Sequence, residues 1–263
     1  MVDVTPTQFN DGKSYERMMG RWSQAAGEIF LDWLTLPSGL RWLDVGCGNG
    51  AFTELLVLRC KPTEVQGIDP SEGQLSFARD RSATHPATFH RGDAQELPFE
   101  DDRFDVAVMA LAINLIPDPA KAVAEMARVV RPEGAVATYM WDINGGGFTM
   151  EPIREVLSEM GIATPFFGAE FTEQGGMRKL WESVGLDAVV VRRIEIGLTF
   201  TDFDDFWISN TEADGTVPKA IKSMSESDVE ELRERLRGQL PTDAQGKISY
   251  VAHANAVKGQ VKR

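Results

Sequence analysis

Three aspartates and one glycine-rich turn carry most of the chemistry legible in this chain. The stretch Leu43-Asp44-Val45-Gly46-Cys47-Gly48-Asn49-Gly50 closes an apolar run and opens a helical pattern. Glycines at such a bend permit backbone conformations closed to other residues and let a ligand approach the bare main chain. The first turn of the following helix offers amide N–H groups to an anionic group. A loop of this kind at the carboxyl end of a strand suits a nucleotide-type cofactor. Gly46, Gly48 and Ala51 also satisfy G-x-G-x-x-A, which a dinucleotide-binding domain would show. A turn that needs glycine for geometry alone would look the same.

Asp44 helps to separate these readings. A carboxylate two residues before the first glycine repels a pyrophosphate, whereas a ligand carrying an ammonium and a sulfonium tolerates or favours it. Asp69 follows Asp44 by 25 residues, and Asp93 follows Asp69 by 24. A parallel sheet with one helix per step places all three acids along one edge. An acid at the second strand end can accept both ribose hydroxyls. An acid at the third can accept an adenine amino proton. A single aspartate in such a place is a solvated loop residue or a helix cap; three in register argue for a shared ligand.

The elements that must position these residues alternate along the chain. Apolar runs at Arg41–Val45, Glu64–Asp69, Ala87–Arg91, Phe104–Leu111 and Ala135–Trp141 read as strands. Helical patterns at Ala51–Arg59, Gly73–Arg81 and Pro119–Val130 lie between them, with Pro132-Glu133-Gly134 ending the last. This alternation predicts an α/β fold, a doubly wound and mainly parallel sheet covered on both faces. An irregular segment precedes a helix at Trp22–Leu34. Gly145-Gly146-Gly147 reads as a flexible break. Helices are expected around Met150–Met160 and Thr172–Val184, a sixth strand at Ala188–Thr199 and a last one at Lys247–Val257. Residues 200–245 are polar and helical, and read as a cap inserted between the last two strands.

Composition narrows the class. Forty acidic against 27 basic residues give a formal charge of −13 over 263 residues, which disfavours nucleic acid and anionic membrane surfaces as partners. Cys47 and Cys60 cannot staple a domain of this size, and no Cys/His zinc spacing exists. No metal is expected. No run of about 18 apolar residues occurs, so no membrane span is expected. The first twenty residues lack the apolar stretch of a secretory signal, and a cytoplasmic setting is expected.

Taken together, Leu43–Gly50, Gly67–Ser71, Arg91–Phe99, Phe104–Leu111, Pro117–Pro119 and Arg128–Gly134 resemble the motifs of the class I S-adenosylmethionine-dependent methyltransferases. The resemblance is to the small-molecule type, similar to the ubiquinone and menaquinone C-methyltransferases, and covers roughly residues 40 to 140. It implies a Rossmann-like methyltransferase fold of seven strands. It further implies one domain over residues 1–263: an N-terminal lid and helix at 1–36, a cofactor-binding core at 37–143, substrate segments at 144–185 and 200–245, and final strands at 186–199 and 247–259. The implied cofactor is S-adenosylmethionine, with S-adenosylhomocysteine as product. Asp44, Gly46 and Gly48 would line its methionine part. Asp69 would hold the ribose hydroxyls, with Pro70 and Gln74 near the adenine. Asp93 and Ala94 would contact the adenine edge, and Ala110 and Leu111 would sit beneath the cofactor. Tyr15 and Arg21, in a lead-in that also resembles one bacterial branch, would close over it.

The resemblance departs from its pattern after the fourth strand. Many relatives carry histidine there, whereas this chain has Ile113-Asn114, and an amide takes no proton near neutral pH. No catalytic residue is assigned. Methyl transfer to a small-molecule acceptor is the leading expectation. Binding of the cofactor without transfer is the alternative, and a nucleotide-dependent oxidoreductase is a third reading that Asp44 opposes. Phe148, Phe166, Phe167, Phe171, Phe203, Phe206 and Trp207 are dense after the fifth strand. They either line an apolar acceptor pocket or fasten the cap to the sheet.

Overall fold

Apolar runs bounded by glycine, proline and polar turns become strands, and the 3.6-period stretches between them become helices. The computed structural model describes residues 12–212 and 215–262, with side chains from residue 22 onward. In chain order the elements are α1 (Gly12–Leu34), β1 (Arg41–Val45), α2 (Ala51–Cys60), β2 (Glu64–Asp69), α3 (Glu72–Asp80), β3 (Ala87–Arg91), β4 (Phe104–Ala110) and α4 (Pro119–Val129). Then follow β5 (Val130–Trp141), α5 (Glu151–Glu159), α6 (Gln174–Ser183), β6 (Asp187–Phe200), α7 (Phe203–Thr211), α8 (Thr216–Lys222), α9 (Glu226–Gln239) and β7 (Ile248–Gln260).

Among the described residues the strands form one seven-stranded sheet in the order β3-β2-β1-β4-β5-β7-β6. β1 pairs in parallel with β2 and β4, β2 with β3, and β4 with β5. β7 runs antiparallel to both β5 and β6. The strand order reverses between β1 and β4, and such a switch point opens a crevice at the carboxyl ends of the strands. The two central strands are mostly apolar because both of their faces are covered. Leu43, Val45, Ala107, Val108 and Met109 are all inaccessible to solvent.

α1 closes one face of the sheet. Trp22, Ala26, Phe30 and Leu34 recur every fourth residue and are buried. The Phe30 ring rests on Tyr139 of β5 at 4.7 Å. On the other face, Asp118 caps α4 by accepting from the Lys121 N–H at 3.0 Å, with Pro119 in the first turn, where its missing N–H costs nothing.

Several boundaries differ from the sequence reading, for local reasons. α1 starts at Gly12 rather than Trp22, because the preceding polar residues hide the helical period. Pro132-Glu133-Gly134 does not stand before a strand but inside one. Val130 already pairs with Phe104, the pairing shifts before Val106 meets Ala135, and Glu133 takes a φ of +64° with its N–H on Val261 O. Gly134 tolerates this bulge because a Cβ there would lie 2.7 Å from Asp105 O. The Gly145–Gly147 stretch is an anchored turn, not a loose break. Gly145 N–H donates to Asp142 Oδ1 at 3.0 Å, and Gly147 N–H to Asp142 O at 2.8 Å. The helix expected at Thr172–Val184 is a 3-10 turn, Ala169–Thr172, followed by α6. The segment between β6 and β7 is helical as expected: α7 packs on β6 and α1, and α9 on α5. β7 continues to Gln260 rather than ending at Val257. No helix among the described residues is long and apolar enough to cross a membrane.

Candidate active site

The bend after β1 folds as it does because its glycines adopt conformations that other residues avoid. Gly46, Gly48 and Gly50 have φ values of +69°, +51° and +77°. Gly46 and Cys47 both donate their N–H groups to Ile68 O, at 2.8 and 3.1 Å. A Cβ on Gly46 would lie 2.9 Å from the Ala112 methyl, so the bend is also packed tightly against the end of β4. A Cβ on Gly48 would meet nothing within 4 Å, so that side of the bend faces open space.

Asp44 lies inside β1 and is fully buried. Thr53 of α2 donates its hydroxyl to Asp44 Oδ2 at 2.6 Å. Asp44 Oδ1 has no hydrogen-bond partner among the described residues. Burial drives the carboxyl up to about 7; the Thr53 bond opposes this and the nearby Asp69 charge adds to it.

Asp69 ends β2. Its Oδ2 accepts from Gly48 N–H at 2.9 Å and its Oδ1 from Ser71 N–H at 2.8 Å. Burial raises its pKa, and these two backbone donors oppose that. Each oxygen keeps acceptor capacity for a ligand hydroxyl. Asp93 stands two residues beyond β3 and is exposed. Gln95 holds it through its own N–H at 2.8 Å and through Nε2 at 3.0 and 3.1 Å. The Gln95 carbonyl oxygen in turn accepts from Asp118 N–H at 3.0 Å, tying Asp93 to the cap of α4. Ala110 ends β4, and Leu111 follows with a φ of +56°, an uncommon conformation for a branched side chain. Leu111 N–H is fixed on Tyr139 O at 2.9 Å.

These groups surround one cavity of about 820 Å³. Its lining includes Asp44, Gly46, Gly48, Asp69, Pro70, Gln74, Asp93, Ala94, Ala110 and Leu111. The structure thus brings together every candidate cofactor residue whose side chain it describes. The side chains of Tyr15 and Arg21 lie outside the described residues. Sequence reasoning missed Ser23 and Gln24 of α1, Phe52 and Leu55 of α2, Gln95, and Tyr139, all of which line the same space. Tyr139 gave no signal of its own in the sequence; its pairing with Ala110 on the neighbouring strand is what brings it here. Ser23 gave no signal, being one polar residue on an otherwise ordinary helix. Cys47 also lines the cavity and is buried. Burial, with Asp44 and Asp69 adding to it, pushes its thiol well above the usual range.

Several side chains singled out by the sequence serve elsewhere. His90 bonds Gln66 at 2.6 Å, His253 bonds Asp142 at 3.2 Å, and His85 is exposed. Asn114 is buried and donates its amide to Phe167 O at 3.2 Å. Phe203 stacks on Trp207 with centroids 6.3 Å apart. The Arg237 guanidinium sits 4.3 Å from the Phe203 ring and that of Arg233 4.9 Å from Trp207. Phe206 packs on Phe200 and Tyr250. Of the two readings open for these rings, the contacts of Phe203 and Trp207 are those of packing between α7 and α9. The described lining of the cavity holds none of these rings.

The donor set can be tested against the candidate ligands. Among the described residues, the charged side chains lining the cavity are Asp44, Asp69, Glu72 and Asp93 against Arg91, a field hostile to a pyrophosphate. A buried carboxylate oxygen without a partner suits a cationic amine. A strand-end carboxylate with spare acceptor capacity suits a vicinal diol. The residues present therefore fit an adenosyl compound with an amino-acid tail.

Comparison with known proteins agrees. Residues 43–138 match a family model described as a methyltransferase domain. Over 142 residues, 51% of this chain and 56% of the relative, the sequence is 41% identical to demethylmenaquinone methyltransferase of Staphylococcus aureus. The chain thus spans about half the length of the curated relatives it matches. The crystal structure of the YcgJ protein of Bacillus subtilis superposes with a TM-score of 0.60 at 18% identity, over 90% of this chain and 98% of the other. Phosphoethanolamine N-methyltransferase 2 of Haemonchus contortus, solved with S-adenosyl-L-methionine, gives 0.59 at 19% identity over 95% of this chain and 56% of that one. At such identities the two structures speak for the fold. Residues 43–138 thus match a methyltransferase domain, and the sheet that carries them has the fold of these solved structures.

Proposed function

We propose that this chain transfers a methyl group from S-adenosylmethionine to a small-molecule acceptor by in-line displacement. The observation that carries this reading is the convergence of Asp44, Asp69 and Asp93 with the bare bend at Gly46–Gly48 on one cavity. In it, Asp44, Gly46 and Gly48 hold the methionine part of the cofactor. Asp69 takes the ribose hydroxyls, and Pro70 and Gln74 flank the adenine. Asp93 and Ala94 meet its edge, while Ala110 and Leu111 form the floor. Tyr15 and Arg21 close over the top.

When bound, the cofactor supplies a methyl group on a positively charged sulfur, which departs as a neutral thioether. The leaving group therefore asks no acid of the protein. What remains for the side chains is to hold the acceptor in line with methyl and sulfur and to keep water out. Positioning of this kind lowers a barrier by about 7–11 kcal/mol. The apolar walls Phe52, Leu55, Leu115 and Ile116 suit that role. The charge of −13 disfavours a nucleic-acid acceptor.

Binding without transfer is the second reading. It draws on Asn114, whose amide is committed to Phe167 and cannot act as a base. Calorimetry with S-adenosylhomocysteine and NAD, paired with a labelled-methyl screen over phenols, amines, thiols and demethylmenaquinone, separates the readings. Binding with transfer supports the enzyme. Binding with no transfer to any acceptor favours the binder. Tight NAD binding without S-adenosylhomocysteine binding overturns both.

A further inference from the structure

β6 stands at one end of the sheet, 14 residues long, with β7 on one side only. Among the described residues, the backbone bonds of residues 192–199 all run to β7. The outer edge of this stretch therefore carries unpaired N–H and C=O groups. Such an edge is a template for another strand, and charged side chains ordinarily guard it. Here the charges are Arg192, Arg193 and Glu195, all exposed. Arg193 and Glu195 share one face of the sheet, two residues apart. The ion pair that Arg193 makes among the described residues is a loose one, to Asp142 at 3.8 Å, and Glu195 makes none.

Symmetry limits what this edge accepts. A twofold axis perpendicular to the sheet pairs two β6 strands antiparallel, with the same face of each copy upward. Residues on one face then meet residues on that face, so the axis passes through a residue and not between two. Centred on Arg193, it sets that arginine against its own copy; centred on Glu195, it does the same to the glutamate. Like charges directly opposite destabilise a pair. Centred on Ile194, it sets Arg193 opposite Glu195 of the second copy, and does so twice. The same register brings Val191 opposite Gly197, where a Cβ would meet nothing within 4 Å. Gly197 neighbours Val251 of β7, which is 62% exposed. On the other face it covers Val190, 44% exposed, by bringing it opposite Leu198.

We propose that this edge docks a second copy of the chain, β6 pairing antiparallel with β6 about Ile194. Main-chain hydrogen bonds join the two sheets, and the two Arg193–Glu195 pairs fix the register. The pairing does not depend on what the cavity binds. Sedimentation equilibrium on the full chain tests it. The unmodified chain should sediment as a dimer. Arg193→Glu alone, or Glu195→Arg alone, sets like charges opposite one another at both positions and should weaken the dimer about tenfold or more. An equal mixture of these two variants brings opposite charges together again at both positions and should dimerise as the unmodified chain does. The double variant Arg193→Glu, Glu195→Arg should do so by itself. A monomeric unmodified chain overturns the proposal. Single variants that dimerise unaltered overturn it, as does a mixture and a double variant that stay as weak as the single variants.

Discussion

Gly48 and Asp69 meet across the carboxyl ends of β1 and β2, the glycine N–H donating to Asp69 Oδ2 at 2.9 Å. The bend after β1 and the acid that ends β2 are therefore one hydrogen-bonded unit. A change in either residue reaches the other, and the first two predictions follow from that coupling.

Asp69→Ala removes the proposed ribose partner and releases the Gly48 amide. Affinity for S-adenosylhomocysteine should fall by more than about tenfold, the scale of a hydrogen bond to a charged group. Asp69→Asn keeps one acceptor and should fall between the two. A dissociation constant that stays put in Asp69→Ala would refute the ribose assignment.

Gly46 and Gly48 should respond differently to alanine. Both hold positive φ, which costs an alanine about 1–2 kcal/mol. At Gly46 the new methyl also collides with Ala112 at 2.9 Å, whereas at Gly48 it enters open space. Thermal unfolding should show the larger loss for Gly46→Ala. Gly48→Ala should instead lose ligand affinity out of proportion to its stability. Identical melting shifts in the two variants would contradict this division.

Asp44 makes ligand binding depend on pH. Burial raises its pKa to about 7, so the free protein holds the proton below that value. An ammonium favours the ionised form and must displace that proton. Affinity for S-adenosylhomocysteine should therefore weaken as pH falls below about 7, approaching tenfold per unit, and level off above it. Stability of the free protein runs the other way. The unfolded chain loses this proton near the ordinary carboxylate value, so stability declines as pH rises from there to about 7 and is then flat. Calorimetry between pH 5.5 and 8 reads the first effect, and Asp44→Asn should flatten it. A slope that persists in Asp44→Asn belongs to another group.

Trp207→Ala should cost stability and spare the ligand. The ring stacks on Phe203 and receives the Arg233 guanidinium, contacts worth about 0.5–1.5 kcal/mol each. Its melting temperature should drop while affinity for S-adenosylhomocysteine holds. Loss of binding at unchanged stability would return α7 to the ligand site.

Sequence made the core of this fold legible because its central strands are buried on both faces and so read as mainly apolar runs. The strand-end acids were legible for a related reason: βαβ spacing is regular, and Asp44 and Asp69 interrupt otherwise apolar segments. What stayed hidden has physical causes too. Tyr139 looked like one more ring in a hydrophobic strand, since nothing local says that its hydroxyl turns toward α1. Ser23 looked like an ordinary helix residue because its burial is imposed by the sheet beneath it. The aromatic residues of α7 advertised a pocket, but Arg233 and Arg237 lie a helix and a turn away in sequence, and their stacking on those rings is a tertiary event. Pro132-Glu133-Gly134 has the residues of a stop, and only the pairing of Val130 with Phe104 turns it into a bulge.

Cys47 gives the molecule a chemical clock. Its thiol sits in the cavity wall, buried and held protonated by burial and neighbouring acids, so alkylating reagents should react with it slowly. With Cys60→Ser removing the other thiol, the labelling rate becomes a footprint of occupancy, slowing as the cavity fills and quickening when the bend is loosened.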